Sequence, residues 1–206
     1  MLGMGKAPQI TPLKGNLMLK ELVLANRSKR SFAKGEPISR ETLAELCELA
    51  RNCPAAMNKQ PLKYRLVTDQ AEIDKMLTLT RWASSLSQKL PPLGHEPSAF
   101  IVICHDTSIA QTAPIFMIDV GIVAQTMMLG AAERGLGGCM IGSGSSDSIS
   151  SALDIPSHLI PKLVLGLGVP DETVVLTEAQ NGEVTYYRDE ENTHYVPKRP
   201  LDEIIF

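Results

Sequence analysis

Residues 114–138 read PIFMIDVGIVAQTMMLGAAERGLGG, and this stretch decides the fold. Apolar residues occur on almost every side of the helix predicted from Pro114 to Arg134, and the glycines from Gly135 onward end it. A helix that is apolar all round has to be covered all round. In a chain of only 206 residues, a second copy of the chain is the cover we expect.

The same stretch is long enough for a membrane span, but polar side chains interrupt it near its centre, at Asp119, Gln125 and Thr126. We therefore expect a helix buried in protein and no membrane segment. With 20 basic and 23 acidic residues the net charge is −3, so no global positive field attracts nucleic acid. Residues 1–16 are expected to form an N-terminal extension without a signal-peptide run, which predicts a cytoplasmic location.

The segments on either side of the long helix have recognisable helix and strand patterns. Ser39 and Asp69 are candidate N-caps for two helices. The predicted helices cover Leu17–Ala25, the segment from Ser39 to about Cys53, and Ala71–Leu79. The predicted strands cover Tyr64–Val67, Ala99–Cys104 and Lys162–Val169. The four cysteines include no C-x-x-C pair, so we expect neither a zinc site nor a dithiol redox motif.

Two basic segments could bind an anion. In NRSKRSF, residues 26–32, Arg27 and Arg30 offer forked donors and Ser28 offers a hydroxyl, which suits a phosphate monoester. The pair Lys198-Arg199 stands close to the C-terminus. Taken singly, each segment is more typical of a solvated charged surface.

A turn and a glycine-rich segment could meet a planar ligand. The turn, residues 52–61, combines small residues with the amides of Asn58 and Gln60, which can each donate and accept hydrogen bonds. Alone, it is equally typical of an ordinary helix-to-strand loop. The glycines of residues 135–142 follow a helix and enter a strand, which is the reverse of a dinucleotide-binding fingerprint, so a Rossmann site is excluded.

Together and in this order, these segments resemble the nitroreductase family. Residues 27–32, RSKRSF, match the family's Arg-Ser-x-Arg motif with its following aromatic, and residues 54–61, PAAMNKQP, are similar to its Pro-Ser-x-x-Asn-x-Gln-Pro turn. The long helix that closes on a Gly-Leu-Gly turn also matches the family. Asn26 stands where many relatives have another Arg, and Ala55 replaces the usual Ser. Both departures should affect the affinity for FMN more than the identity of the cofactor.

The resemblance implies an α+β fold with a central, mostly antiparallel sheet flanked by helices. It places the long buried helix at the interface of a homodimer. A single FMN-binding domain is expected over residues 17–206, with residues 170–206 as an extended C-terminal arm.

The resemblance also implies which residues bind FMN. Arg27, Ser28, Lys198 and Arg199 would hold its phosphate, the last two from a swapped arm as one possibility, while Arg30 would lie near flavin N1 and O2. Asn58 would bond the ribityl chain or the pyrimidine edge, and small residues and glycines would shape the ring pocket. The remaining expected FMN contacts are Pro54, Ala55, Ala56, Met57, Gln60, Gly137 and Gly138.

The implied activity is hydride transfer from NADH or NADPH to a small oxidised acceptor, such as a nitroaromatic or a quinone, by a ping-pong mechanism. The flavin carries this chemistry, so no catalytic side chain and no metal is expected. The loop from Trp82 to Pro97 would cover the flavin, with Trp82 and His95 as substrate contacts. Two alternatives stay open: a specialised enzyme of the same fold, for flavin fragmentation or reductive dehalogenation, and a non-catalytic flavin-binding protein.

Overall fold

The structure is a computed structural model that describes residues 18–83, 86 and 88–206; the expected extension at residues 1–16 lies outside this range. The helices and strands that the sequence patterns predict all form, and one further α-helix and three further strands form that were not predicted. The α-helices are α1 (Leu19–Ala25), α2 (Arg40–Arg51), α3 (Gln70–Leu79), α4 (Ile115–Glu133) and α5 (Ser146–Ala152). The strands are β1 (Leu62–Val67), β2 (Ala99–Asp106), β3 (Gly137–Ile141), β4 (Leu159–Gly168), β5 (Val174–Glu178), β6 (Tyr187–Arg188) and β7 (His194–Lys198).

Both predicted caps are confirmed by the hydrogen bonds that they make. The Ser39 hydroxyl accepts the Thr42 N–H at 3.1 Å at the start of α2, and the Asp69 carboxylate accepts the Glu72 N–H at 3.2 Å at the start of α3. Each bond satisfies one of the N–H groups that a first turn leaves without a partner.

The central sheet has the strand order β1-β2-β4-β3, and all of its pairs are antiparallel, which confirms the predicted α+β architecture. Because side chains alternate along a strand, β2 contributes to a core on each face. Ile101 and Ile103 pack with α2 and α4 on one face, whereas Phe100 and Val102 pack on the other, the face that α3 and α5 cover. Every residue of β2 is buried, as a central strand requires.

The helix α4 is the predicted long apolar helix, and one of its faces belongs to the core. Val120, Val123 and Met127 are buried against α2 and the sheet. By length and mean hydropathy, 1.7, α4 resembles a membrane span, but 56% of its most apolar window is buried inside this chain. Its outward side leaves Ile115, Met117 and Ile118 exposed, the last at 59%. The described residues therefore cover α4 on one side only.

A second, smaller sheet follows the central one along the chain. Its order is β5-β7-β6, with β5 parallel and β6 antiparallel to β7. Residues 174–198 are thus folded within the chain and do not form the extended arm that we expected. These strands were not predicted because they are short, and His194 is the only buried residue among them. Beyond them, Leu201 to Phe206 form an exposed and largely apolar end.

Candidate functional site

A cavity of about 390 Å³ opens where the end of α1, the strand β3 and the small sheet meet. It brings together five of the residues that were expected to bind FMN: Arg27, Ser28, Arg30, Gly138 and Lys198. Its other lining residues are Asn26, Gln125, Met128, Met140, Tyr186, His194 and Val196. We call this space the basic cavity.

The segment that follows α1 is fastened to the central sheet. The Lys29 N–H donates to the Gly138 carbonyl at 2.8 Å, and Ser28 pairs with Gly138 in a parallel bridge. Three residues after Lys29, the buried ring of Phe32 anchors the same segment in the core. This pairing holds the side chains of Arg27 and Ser28 at the mouth of the basic cavity.

Gly138 is required by close packing. A Cβ at this position would lie directly against the Gly166 carbonyl oxygen of the neighbouring strand β4. Gly137 is just as crowded, since a Cβ there would lie 2.6 Å from Pro170 Cγ, but it does not line the basic cavity. The two glycines therefore let β3 approach its neighbours closely, and only Gly138 reaches the cavity wall.

Arg27 and Lys198 line the cavity, and neither side chain has a carboxylate partner among the described residues. The Arg27 guanidinium donates to the Val23 carbonyl at 2.7 Å and the Asn26 carbonyl at 2.6 Å, and so stabilises the end of α1. Lys198, at the end of β7, makes no ion pair within the described part of the chain. Both side chains are therefore available to an anion. Arg199 differs, because it pairs with Glu203 at 3.0 Å and lies outside the cavity lining.

A buried charged cluster lies behind the cavity. The Glu172 carboxylate accepts the backbone N–H of Arg30 and the guanidinium of Arg188, and its backbone carbonyl accepts Lys29 Nζ at 2.9 Å. Glu172 and Arg188 form a buried ion pair, with side-chain exposures of 3% and 6%. Burial lowers the pKa of Lys29, an effect that the charge of Glu172 opposes. One carboxylate here faces three cations, so the cluster carries net positive charge.

The His194 ring completes this cluster. Its Nε2 lies 3.3 Å from Arg30 Nη1, and its ring centroid lies 5.3 Å from that of Tyr186. Burial, followed by the charges of Arg30 and Arg188, lowers the pKa of His194 to about 4. The imidazole is therefore neutral near pH 7, accepts from Arg30 through Nε2 and carries its proton on Nδ1.

The family model for the nitroreductase family matches residues 23–169, about seven tenths of the chain. The chain belongs to the nitroreductase family. The match begins in α1 just before the Arg27-Ser28 motif and ends at the last strand of the central sheet. The small sheet that supplies His194 and Lys198 lies beyond it.

Individual relatives agree with this assignment. The chain is 25% identical over 189 residues to the oxygen-insensitive NADPH nitroreductase of Salmonella typhimurium, which covers 89% of this chain and 75% of that protein. It is 25% identical over 170 residues to an FMN reductase (NADPH) of Bacillus subtilis, covering 73% and 65% of the two chains. An FMN-dependent nitroreductase structure from Clostridium difficile shares the fold with a TM-score of 0.60 at 21% identity, covering 78% and 91%.

The second signature of this nitroreductase-family chain lies apart from the basic cavity. Pro54, Ala55 and Gln60 line a different cavity of about 190 Å³, together with Asp119 and Tyr64. Ala56, Met57 and Asn58 form a short 3₁₀ turn in which Met57 and Asn58 have positive φ, and the Met57 side chain is 72% exposed. Within one chain, the two groups of expected FMN contacts are therefore not brought together.

Neither expected substrate contact lines the basic cavity. Trp82 is buried in the core between the rings of Phe32 and Phe100, and its indole N–H donates to the Thr80 hydroxyl at 3.0 Å. This burial corrects the prediction that it meets a substrate at the surface. His95 pairs with Asp171 at 2.8 Å at the edge of a separate polar cavity of about 760 Å³. The loop between them is described only in part, without residues 84, 85 and 87.

Six cavity residues were not singled out from the sequence. Gln125 and Met128 were interpreted only as parts of the long helix, and His194 as a histidine without a role. Tyr186 and Val196 belong to the segment that we expected to be an arm, and Met140 to the glycine-rich turn. The pair Tyr195-Val196, an aromatic residue followed by a β-branched one, is a signal typical of strands that could have revealed β7.

Proposed function

We propose that the chain is an FMN-dependent oxidoreductase that transfers hydride from NADH or NADPH to a small oxidised acceptor, such as a nitroaromatic or a quinone. The observation that carries this proposal is the basic cavity, in which Arg27, Ser28 and Lys198 come together from opposite ends of the chain. The names of the relatives support it, since they include an NADPH nitroreductase and an FMN reductase.

The chemistry of the cavity fits FMN. A phosphate monoester needs forked and point-charge donors without competing carboxylates, and Arg27 and Lys198 supply them. A planar ring system needs close access to backbone and an apolar wall, which Gly138, Met128 and Met140 supply. The volume of about 390 Å³ lies within the usual range for small-ligand sites.

The roles of the chain's own residues follow from this fit. Arg27, Ser28 and Lys198 would bind the phosphate, and the charge of Arg30 would favour negative charge on the pyrimidine side of the ring. When bound, FMN would supply the hydride-accepting and hydride-donating centre, so no side chain has to act as a nucleophile. The protein's contribution is to bind, to orient and to set the electrostatic potential of the pocket.

We propose further that the protein works as a cytoplasmic homodimer. The apolar side chains of Leu19 and Leu24 in α1 are exposed, as are those of Met18 before α1 and Ile118 in α4. The two helices pack against each other, so these side chains are parts of neighbouring surfaces. Exposed apolar side chains on two helices that pack together are typical of an association site. In such a dimer, the Pro54–Gln60 turn of one copy would complete the basic cavity of the other.

Anaerobic stopped-flow absorbance tests the proposed activity. The purified protein is first mixed with NADH or NADPH and then with a nitroaromatic or a quinone. Bleaching of bound FMN followed by full recovery of its colour is the expected result. FMN that is consumed would identify flavin fragmentation instead, and FMN that never bleaches would identify a non-catalytic flavin-binding protein. A protein that binds no added FMN would refute the proposal.

A further inference from the structure

Arg30, which lines the basic cavity, is held by a neutral partner. The His194 imidazole lies within hydrogen-bonding distance of the Arg30 guanidinium, at 3.3 Å. The guanidinium also interacts with the Cys139 thiol, whose pKa burial raises and Arg30 lowers. The nearby carboxylate of Glu172 is occupied by the Arg188 side chain and by the backbone N–H of Arg30. The guanidinium is therefore oriented by an imidazole, and its charge is not paired.

The contacts around His194 hold its imidazole in place. His194 is 1% exposed, begins β7 directly opposite Arg188 of β6, and donates its backbone N–H to the Thr173 carbonyl at 2.9 Å. The Tyr186 ring contacts both partners, since it lies 5.4 Å from the Arg30 guanidinium carbon and 5.3 Å from the His194 ring. Two uncharged rings thus hold one arginine.

A neutral partner and a carboxylate would have different effects on the pocket. A carboxylate could orient Arg30 equally well, but a bound ligand would then feel the small difference between two opposite charges at similar distances. An imidazole orients the guanidinium and leaves a full positive charge. In a site with little water, that charge acts strongly on any ligand whose own charge changes during the reaction.

We propose that His194 is a positioning residue that orients Arg30 at the flavin pocket without neutralising its charge, so that the pocket favours reduced over oxidised FMN. This inference rests on the proposed function. It predicts that the partner's charge, and not its shape alone, sets the reduction potential of bound FMN. His194 would thus tune the reduction potential of bound FMN. It belongs to the small sheet, which lies beyond the residues that the family model matches.

Three variants separate charge from shape. His194→Gln keeps a neutral acceptor, His194→Glu places a carboxylate beside Arg30, and His194→Leu removes the acceptor. His158→Glu makes the same charge change at an exposed histidine that does not line the cavity. For each protein, we would measure FMN affinity by fluorescence titration, the midpoint potential of bound FMN against a reference dye, and Tm.

The expected results differ among the variants. The glutamine variant should keep the ratio of affinities for reduced and oxidised FMN within about twofold of wild type. The glutamate variant should lower that ratio about tenfold, which is about 30 mV for a two-electron couple. The leucine variant should bind FMN more weakly and also have a lowered potential, and the His158 control should match wild type.

Unchanged potentials in both the glutamate and the leucine variants would overturn the inference, even if Tm or FMN affinity falls, because that pattern indicates a structural role only. Should the glutamate variant fail to fold, Arg30→Gln provides the same test, since it removes the charge that His194 leaves unpaired. An unchanged potential there also overturns the inference. Wild-type protein that binds no FMN would instead refute the proposed function itself.

Discussion

The Asp119 carboxylate lies 3.0 and 3.1 Å, through its two oxygens, from the backbone nitrogen of Ala56. Asp119 is buried in the apolar helix α4, and it has no ion pair among the described residues. Ala56 begins the turn that we expect to contact FMN. The polar residue that interrupts the long helix in sequence therefore fixes the turn to that helix.

Replacing Asp119 by Leu should destabilise the protein by roughly 1.5–3 kcal/mol, because it removes a hydrogen bond to a charged group and leaves the half-buried Ala56 N–H without its partner. Asp119→Asn should cost less, since the amide oxygen still accepts. Urea denaturation measures both effects. Glu133→Gln, at an exposed acid near the end of the same helix, is the matched control. Equal stability of the leucine variant and the control would show that the contact is unimportant.

Lys198 and Arg199 are adjacent cations with different expected roles. Lys198 lines the basic cavity, whereas Arg199 pairs with Glu203 outside it. Lys198→Ala and Arg27→Ala should each weaken FMN binding by roughly 1.5–3 kcal/mol, the scale of a hydrogen bond to a charged group. Arg199→Ala should change it by less than about 0.5 kcal/mol, as for other exposed ion pairs. Isothermal titration with FMN decides the matter, and a larger loss for Arg199 than for Lys198 would contradict this assignment.

Gly138 and Gly142 provide a comparison of crowded and open glycines. Gly138→Ala forces a methyl group against the Gly166 carbonyl and should cost about 1–3 kcal/mol of stability, the usual range for overpacking. Gly142→Ala meets no described atom within 4 Å and should have little effect. Thermal unfolding followed by circular dichroism measures both. A stable Gly138→Ala protein would mean that β3 and β4 can separate locally without loss of packing.

The exposed side of α4 should be the assembly surface. Ile118→Lys should give a folded monomer, because burying an unpaired charge between subunits is costly. Ile109→Lys makes the same change at an exposed isoleucine outside α4 and should leave the dimer intact. Sedimentation velocity distinguishes monomer from dimer. A dimeric Ile118→Lys protein would show that another surface is used. Met128 is unsuitable for this test because it is buried within the chain.

Acidification should destabilise the protein through His194. Its pKa is lowered from 6.5 to about 4 by burial and then by Arg30 and Arg188, while Glu172 acts in the opposite direction. Between these values the unfolded chain binds a proton that the folded chain does not, so stability falls as the pH drops from about 6.5 to about 4. The loss should amount to roughly 2–3 kcal/mol. Urea denaturation of wild type and His194→Gln at several pH values isolates it, and parallel pH profiles would disprove it.

The local elements could be predicted because their causes are local. Ser39 and Asp69 cap helices by bonding backbone three residues away, and the apolar spacing of α4 is visible without any knowledge of its neighbours. The small sheet was missed for the opposite reason. Its strands are short, and β7 pairs with two strands that both precede it in the chain and lie on either side of it in the sheet.

The sequence predicted several residues of the candidate site, but it predicted their positions relative to one another only in part. Motif and order within the chain indicated Arg27, Ser28, Arg30 and Lys198, and the structure places these four in one cavity. They also suggested Trp82, a large aromatic in an irregular loop. Trp82 is buried between Phe32 and Phe100, which are distant from it in sequence. The residues around Trp82 in the sequence therefore do not indicate this burial.

By itself, the sequence determined the family, the positions of the long helices and of the central strands, and the residues able to bind a phosphate, because those depend on periodicity, capping chemistry and residue type. Only the tertiary structure decided which arginine side chain pairs with a carboxylate and which one does not. The 3.3 Å contact between Arg30 and His194 joins residues 164 positions apart, while the nearest carboxylate, Glu172, is taken up by Arg188. Such pairings follow from the distances that folding creates between remote segments.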